Sequence, residues 1–331
     1  MIDSKAYMPD NPKHLKPAQQ RLTTGERRRQ KLAQNPRYDV RGQIIVSLFR
    51  LLSFLPLRWI RGLGQQIGRL ICRLDIQDAK VARENIGYAF AAMPTDQQHR
   101  LAKQSIIESA KTALEMAAVW FRNDQWLERV IVEQVNRAQF DQAMAADKGL
   151  ILLSPHIGNW EVLGRYLGLI APGITVMYKP AQSAAMDALI RKARLRNMNV
   201  APTDRSGVMM LLKALKTNGV VGILPDQVPT EGGGEFADFY GKPALTMTMI
   251  RQLQKKTNAA VLMVHSERVE SGFRVVFTEP HESIYAQEPE QALLGLNRSV
   301  EKCIDQIPAQ YQWQYKRYRR QPKGVARPYR Y

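Results

Sequence analysis

The most informative part of this chain is the run Gly149-Leu150-Ile151-Leu152-Leu153-Ser154-Pro155-His156-Ile157-Gly158-Asn159-Trp160-Glu161. Its first half, residues 149–154, has the length and apolar composition of a buried strand. Gly158 interrupts regular structure and Asn159 is a favourable N-cap, so we expect a helix to begin near Trp160. The run therefore predicts a strand, a loop and a helix in succession, which is the repeating unit of a parallel α/β sheet.

Strand-like and helix-like segments alternate through the rest of the chain. Strands are expected at 174–178, 220–224, 259–264 and 273–277, and helices at 185–197, 208–216 and 245–256. This alternation predicts an α/β fold with a central mixed, mostly parallel sheet flanked by helices. Residues 76–121 are expected to be helical, with a capping box at Thr95 and Gln98. A core-facing stripe is expected at Ile106, Ala110, Ala113, Ala117 and Trp120.

The N-terminal part of the chain has a different texture. Residues 43–57 are mostly apolar, but they fall short of the ~20 residues that a spanning helix needs, and Pro56 interrupts them. From Arg58 onward, apolar residues recur at helical spacing with arginines between them. This pattern suits the headgroup boundary of an anionic membrane, although a pair of core helices would also fit. We therefore expect a basic, poorly ordered arm at 1–40, a membrane-associated helical segment at 41–74 and a main domain at 75–331.

Composition points to an anionic partner. The formal net charge is +18 and the pI is near 10.0, which suits nucleic acid, anionic lipid headgroups or acidic proteins. Cys72 and Cys303 are far apart and form neither a metal-binding spacing nor a disulfide framework, so we expect a reducing compartment and no metal site. The first 40 residues contain no apolar core of a signal peptide.

A histidine and a carboxylate in the opening run suggest acid–base chemistry. His156 precedes Glu161 by five positions, and the loop between them allows the carboxylate to fold back onto the imidazole. A carboxylate on one ring nitrogen fixes the tautomer and leaves the other nitrogen able to accept a proton. The alternative is an ordinary structural histidine after a strand.

Other polar residues follow predicted strands in the same way. Lys179 follows the strand at 174–178 and Asp226 follows the strand at 220–224, so both are expected at the sheet edge that carries His156. Cations on the next helix, including Arg194, fit either a phosphate site or a solvated face. The C-terminal run 311–320 interleaves aromatic residues with cations, which suits single-stranded nucleic acid or a membrane interface.

Taken together, several sequence blocks resemble the lipid A biosynthesis lauroyl/myristoyl acyltransferases of the lysophospholipid acyltransferase superfamily. Two of these blocks lie in the N-terminal half: the apolar segment that ends at Leu55-Pro56-Leu57-Arg58, and the helix Val81-Ala82-Arg83-Glu84-Asn85-Ile86. The others are His156-x4-Glu161, Tyr178-Lys179-Pro180, Pro225-Asp226-Gln227 with Phe239-Tyr240-Gly241 and Thr246, and Gln312-Trp313 with Lys316-Arg317. The resemblance runs from about residue 43 to 322 and leaves residues 1–40 outside. Lys179 stands where the family usually has arginine, which weakens any bidentate role there.

The resemblance implies transfer of a fatty acyl chain from acyl carrier protein to a hydroxyl of a lipid A precursor, an anionic lipid acceptor. His156 is then the general base, Glu161 orients it, and amides near Gly158–Trp160 stabilise the oxyanion. The expected substrate-binding residues are Asn159, Lys179, Arg194, Asp226 and Gln227. No metal or cofactor is expected beyond the acyl-carrier donor, and the expected location is the cytoplasmic face of the bacterial inner membrane, with no nucleic acid bound.

Two other interpretations stay open. One is an acyltransferase of the same superfamily that acts on a glycerophospholipid or a mannosylated inositol lipid. The other is a non-catalytic, basic protein that binds a membrane surface or nucleic acid, in which His156 is structural.

Overall fold

The computed structural model describes residues 39–329, so the predicted arm at 1–40 lies outside the described residues except for Asp39 and Val40. The helices are α1 Val40–Leu52, α2 Leu57–Arg73, α3 Gln77–Ala89, α4 Thr95–Phe121, α5 Asp124–Val130, α6 Arg137–Ala145, α7 Trp160–Ile170, α8 Ala184–Arg194, α9 Arg205–Lys216, α10 Met249–Thr257 and α11 Pro289–Gln306. The strands are β1 Ile131–Val135, β2 Leu150–Leu153, β3 Ile174–Tyr178, β4 Met198–Pro202, β5 Val220–Ile223, β6 Gly234–Phe239, β7 Lys242–Met247, β8 Ala260–Val269 and β9 Gly272–Thr278.

Within residues 39–329, seven strands form one sheet in the order β1-β9-β8-β2-β5-β3-β4. Every neighbouring pair is parallel except β8 and β9, which are antiparallel. The predicted mixed, mostly parallel sheet flanked by helices is therefore confirmed. Strand β2 lies at the centre: Leu150 and Leu152 pack into one core cluster, and Ile151 and Leu153 into the other. Burial on both faces explains why this strand is continuously apolar.

The segment 245–256, predicted to be a single helix, is divided between a strand and a helix. Strand β7 pairs with β6 in an antiparallel hairpin, and its turn residues Tyr240 and Gly241 both have positive φ. Ala244 and Thr246 are buried at the period of two that a strand requires, and α10 begins only at Met249. The prediction was wrong because a short apolar run fits both periods until its pairing partner is known.

Two details of α4 also differ from expectation. Its N-cap residue is Pro94, and the Gln98 side chain donates to the carbonyl oxygens of Phe90 and Met93, so the predicted capping box is wrong. The predicted stripe is buried except for Ala113, which is exposed.

Helix α2 presents two different apolar faces. One face carries Ile60, Gly64 and Gly68 and packs on α4 so closely that a Cβ atom at Gly64 would lie 2.7 Å from the Lys111 Cα. The second face remains exposed; its residues are Trp59, Leu63, Ile67, Leu70 and Leu74. Helix α1 and its end expose a comparable set: Val40, Ile44, Ile45, Leu48, Leu51 and Phe54. No helix within the described chain has the length and hydropathy needed to cross a membrane.

A buried ionic cluster joins α2, α4 and β8. Glu115 is fully buried and accepts hydrogen bonds from Arg268 Nε at 2.8 Å, Arg268 Nη2 at 2.7 Å and Arg61 Nε at 2.7 Å. Burial acts to raise the pKa of the Glu115 carboxyl, but the charges of the two arginines outweigh burial and lower it. Arg61 also donates to the carbonyl oxygens of Val269 and Gly272 at the β8–β9 turn.

Glu115→Ala is expected to lower the free energy of unfolding by about 3–5 kcal/mol, because it leaves the Arg268 guanidinium buried without its counter-charge. Denaturant unfolding at neutral pH measures this loss. Because the folded-state pKa of Glu115 is lowered, its contribution is complete above its ordinary pKa of 4.5 and is lost as the pH falls through the lowered value. The difference in the free energy of unfolding between wild type and variant should therefore become smaller at acidic pH.

Glu133→Ala is the matched control, since Glu133 forms an ion pair with Arg274 at 2.6 Å on the exposed surface. Exposed pairs contribute about 0–1 kcal/mol. Equal losses from the two variants would contradict the role given to burial.

Candidate active site

The register of two central strands brings His156 and Asp226 together. Strands β2 and β5 pair in parallel with Leu153 opposite Ile223, and the Ser154 amide continues the pairing by donating to the Ile223 carbonyl. His156 lies three residues beyond Leu153, and Asp226 lies three residues beyond Ile223. The two side chains therefore leave the same edge of the sheet at the same height, as the sequence predicts.

Asp226 holds His156 at two points, the imidazole ring and the backbone amide. Its Oδ1 lies 2.8 Å from His156 Nδ1, and its Oδ2 accepts from the His156 backbone amide at 3.0 Å. A carboxylate accepts hydrogen bonds, so Nδ1 carries the proton and Nε2 keeps its lone pair. The His156 side chain is only 11% exposed, and the Trp160 ring packs against it edge-on at 5.0 Å.

Asp226 remains ionised although it is buried. Burial acts to raise the pKa of its carboxyl, but the positive charge of a protonated His156 ring and the two hydrogen bonds from that residue outweigh burial and lower it. Tyr311 also contacts this carboxylate: burial first, and then the charge and hydrogen bond of Asp226, raise the pKa of the tyrosine well above its usual value. Tyr311 therefore stays a neutral hydrogen-bond donor.

The predicted contact between Glu161 and His156 is wrong. Glu161 accepts from Trp120 Nε1 at 3.0 Å and forms an ion pair with Arg194, while Asp226 occupies the position on the imidazole ring. Helix α7 begins at Trp160, as expected, so Glu161 lies in its first turn and faces α4 and α8. The parallel register, and not proximity in sequence, chooses the carboxylate partner of His156.

A second polar group surrounds Glu161. The Arg194 guanidinium that pairs with Glu161 also lies over the Tyr178 ring, 5.0 Å from its centroid, and the Tyr178 hydroxyl donates to Asp187 at 2.6 Å. Lys179 follows Tyr178 and is exposed. The structure thus joins Arg194 to Glu161, and it joins Asp226 and Gln227 to His156.

Gly158 gives the loop at 154–159 its shape. Its φ is +58°, and a Cβ atom there would lie 1.6 Å from the Ser266 carbonyl oxygen, so only glycine fits. The Gly158 amide donates to the Gln310 carbonyl at 2.9 Å, and its own carbonyl accepts from the Thr112 hydroxyl at 2.8 Å. The loop is therefore fixed from three different elements.

Asn159 supports this loop from behind. As predicted, it is the N-cap of α7: its Oδ1 accepts from the Val162 amide at 3.0 Å. Its Nδ2 donates to Glu115 Oε2 at 3.0 Å, and the residue is fully buried. Because both ends of this side chain are engaged within the protein, the predicted substrate contact of Asn159 does not fit the structure.

Gln227 lies at the reactive side of the imidazole. Its Nε2 is 3.2 Å from His156 Nε2 and 3.5 Å from Gln312 Oε1. The next residue is anchored to the C-terminal segment, since the Val228 amide donates to the Tyr315 hydroxyl at 2.9 Å. Gln227 therefore contacts the one ring nitrogen that Asp226 leaves available.

The C-terminal aromatic residues contribute to the core instead of a stacking surface. Tyr311, Trp313 and Tyr318 are buried. Arg317 is buried with them, donates to the Leu245 carbonyl at 2.6 Å and lies over the Phe239 ring at 5.3 Å. The bases of single-stranded nucleic acid need exposed rings on which to stack, and these rings are not accessible.

The arrangement is suited to proton transfer. A histidine with a fixed tautomer and an ionised carboxylate behind it can accept a proton at Nε2 and return it later. Within residues 39–329, no three or more His, Cys, Asp or Glu side chains are grouped so that they could hold a metal ion.

The chain was compared with known protein families and proteins. The family model described as bacterial lipid A biosynthesis acyltransferase matches residues 27–320, so the match begins earlier than the expected residue 43. The chain is 27% identical to the lipid A biosynthesis lauroyltransferase of Escherichia coli K12, over 86% of this chain and 93% of that protein. It is 26% identical to the palmitoleoyltransferase of the same organism, over 83% and 90%.

A more distant similarity covers part of the chain. A phosphatidylinositol mannoside acyltransferase of Mycobacterium tuberculosis is 27% identical over 44% of this chain and 48% of that protein. Because the family match extends over most of the sequence and includes the residues around His156, this chain belongs to the bacterial lipid A biosynthesis acyltransferases and is an acyltransferase.

Proposed function

We propose that this protein transfers a fatty acyl chain from acyl carrier protein to a hydroxyl of a lipid A precursor. The observation that carries the mechanism is the contact between Asp226 and His156 Nδ1, which leaves Nε2 as a base. Family membership supports the acceptor, because the similar proteins of Escherichia coli are named for lipid A biosynthesis.

His156 removes the proton from the acceptor hydroxyl as the oxygen attacks the thioester carbonyl carbon. Asp226, and not Glu161, orients the ring and stabilises the imidazolium that forms. General base catalysis of this kind contributes about 10²–10⁴-fold to the rate. The thiolate that leaves takes the proton back from Nε2, so the donor is released as a free thiol.

The proposed transfer is direct, without an acyl-enzyme intermediate. Burial raises the pKa of the Cys303 thiol to about 12, and it also raises that of Cys72, so neither cysteine is an activated nucleophile. The proposed steps use the side chains of this chain and the thioester donor alone, and require neither a metal nor a cofactor.

Lys179 and Arg194 are our proposed contacts for phosphate groups of the acceptor. Arg194 has donors beyond the one that pairs with Glu161, and its place over the Tyr178 ring limits its rotamers. Glu161 then positions Arg194 and does not act on the imidazole. The net charge of +18 suits both an anionic lipid and an acidic carrier protein.

The exposed apolar rows on α1 and α2 support attachment to a membrane surface. Large apolar side chains repeat along one side of each helix, and Arg58, Arg69 and Arg73 are exposed on α2 beside its row. Such helices lie in the interface with their cations toward anionic headgroups. We place the enzyme at the cytoplasmic face of the bacterial inner membrane, where a carrier protein and a lipid precursor can meet.

Acyl transfer onto a mannosylated inositol lipid is the second candidate, and the partial similarity to the mycobacterial enzyme favours it. A panel of acceptors separates the two candidates. Mass spectrometry then identifies which lipid gains an acyl chain.

His156→Ala is expected to lower transfer by about 10²–10⁴-fold, because the acceptor hydroxyl loses its base. Purified protein, an acyl-carrier thioester and a lipid A precursor are incubated, and the heavier lipid is measured by mass spectrometry. His99→Ala is the control, since His99 is exposed on α4, away from the imidazole–carboxylate pair. Full activity in His156→Ala would overturn the mechanism.

Asp226→Asn is expected to lower kcat more than Glu161→Gln does. An asparagine at 226 can donate to Nδ1, which moves the proton to Nε2 and removes the base, so the loss should approach the ~10²–10⁴-fold attributed to that base. Glu161→Gln keeps the His156 tautomer and weakens only the contacts with Trp120 and Arg194, so its loss should be smaller. Thiol release under saturating substrates gives kcat for each variant. A larger loss from Glu161→Gln would reverse the assigned roles.

Trp59→Ser, Leu63→Ser and Leu70→Ser combined are expected to weaken binding to phosphatidylglycerol vesicles by more than about tenfold, because each fully buried apolar side chain contributes about 1.5–3 kcal/mol. Vesicle cosedimentation measures this change. The matched control is Val132→Ser, Met144→Ser and Val325→Ser, at exposed apolar positions outside α1 and α2. Equal weakening by both sets would argue against an attachment face on α2.

A further inference from the structure

The backbone amides around His156 are already engaged. The amide of His156 donates to Asp226 at 3.0 Å, and that of Ile157 donates to the Pro155 carbonyl at 2.7 Å. The amides of Gly158 and Asn159 donate to the carbonyl oxygens of Gln310 and Ser266, at 2.9 and 3.3 Å. Two of the three amides expected to form the oxyanion hole are therefore committed to holding the loop.

Gln227 offers a donor that faces the reaction. The tautomer set by Asp226 makes His156 Nε2 an acceptor, and Gln312 Oε1 is also an acceptor. An amide group between two acceptors must direct its NH₂ toward them. The Gln227 NH₂ group therefore occupies the place on Nε2 that the acceptor hydroxyl must take.

The neighbourhood keeps this amide close when it is displaced. The Val228 amide donates to the Tyr315 hydroxyl at 2.9 Å, and the Asp226 side chain accepts from the His156 amide at 3.0 Å, so both neighbours of Gln227 are anchored. A hydroxyl that binds Nε2 turns the side chain aside by rotation alone. Its N–H groups then remain beside His156 Nε2, where the attack on the carbonyl carbon takes place.

We propose that the Gln227 side-chain amide donates to the oxyanion that forms at the thioester carbonyl, and is thus a catalytic residue of this enzyme. The inference rests on the proposed acyl transfer. Before the acceptor binds, the Gln227 amide donates a hydrogen bond to His156 Nε2. When both substrates are bound, it donates instead to the carbonyl oxygen on which negative charge develops. A preorganised donor of this kind stabilises the transition state more than the ground state.

The step balances without any further reactant. The hydroxyl proton passes to Nε2, the hydroxyl oxygen bonds to the carbonyl carbon, and the carbonyl electron pair moves to the oxygen that Gln227 contacts. When that pair returns, the carbon–sulfur bond breaks and the thiolate takes the proton from Nε2. The products are an ester and a free thiol.

Gln227→Met removes the donor while nearly keeping the size of the side chain. The expected result is a loss in kcat of about 10²–10³-fold, with KM for donor and acceptor little changed, because the contact forms only in the transition state. Gln312→Met is the matched control: it removes the second acceptor of the same amide but keeps the donor, and its loss should be smaller. Thermal unfolding checks that both variants are folded.

A group that only shields the base would give the opposite result, since its removal would leave kcat unchanged or raise it. Unchanged or higher kcat in Gln227→Met overturns the proposal. Equal losses in Gln227→Met and Gln312→Met overturn it as well, because packing, and not the donor, would then be responsible.

A second measurement separates this inference from the proposed function. A trifluoromethyl ketone analogue of the acyl donor carries an oxygen like that of the tetrahedral intermediate, and its binding by calorimetry needs no acceptor lipid. Gln227→Met should weaken its binding while leaving the affinity for a thioether analogue, which lacks the carbonyl, unchanged. Equal weakening of both analogues, or of neither, overturns the role of Gln227. If wild type binds the ketone but transfers no acyl chain to a lipid A precursor, the acceptor assignment fails and this inference stands.

Discussion

The parallel pairing of β2 with β5 is the constraint on which the site depends. It places the residues that follow the two strands at the same height, so that His156 and Asp226 meet although 70 positions separate them. A shift of one residue in this register would separate His156 from Asp226 along the strands and turn every side chain of the shifted strand to the other face of the sheet. Burial of both strands on both faces prevents that shift, since it would exchange the two core clusters.

The loop that carries His156 is held from behind by Thr112 and by a buried cluster of charged side chains. Thr112 and Glu115 of α4 hold the Gly158 carbonyl and the Asn159 side chain, and Arg268 of β8 neutralises Glu115. A buried charge cluster contributes little net stability in general, but removing one member is costly. Here the cluster fixes the backbone of the turn at Gly158 and Asn159. The position of the His156 imidazole is fixed as a result.

The sequence predicts the central fold well because that fold follows from local patterns. Residues 149–161 indicate the strand, the loop and the Asn159 cap correctly, and the apolar runs identify β3, β5, β8 and β9. Sequence analysis does not predict the edge strands β1 and β4, because Glu133 and Gln134 interrupt the first and Asn199 interrupts the second, so neither forms a continuous apolar run. The hairpin of β6 and β7 depends on a pairing partner, so the second half of β7, residues 245–247, is predicted as helix.

Sequence analysis identifies several residues of the candidate site, but it does not predict which of them contact one another. His156, Asp226 and Gln227 follow from strand ends and sequence blocks, but choosing Asp226 over Glu161 needs the register. Trp120, Tyr311 and Glu115 carry no local signal, because each reaches the site through tertiary packing. The C-terminal aromatic residues show the same limit, since their buried positions depend on the hairpin that sequence analysis misses.

The inner face of α2 has a practical consequence for anyone who wishes to simplify this protein. Deleting the first 74 residues would strip Arg61 from the β8–β9 turn and uncover the groove of α4 into which Gly64 and Gly68 fit. The shortened chain would lose part of its core packing along with the exposed apolar row of α2. A more soluble variant should therefore replace the exposed apolar residues of α2 with polar ones and keep the whole helix.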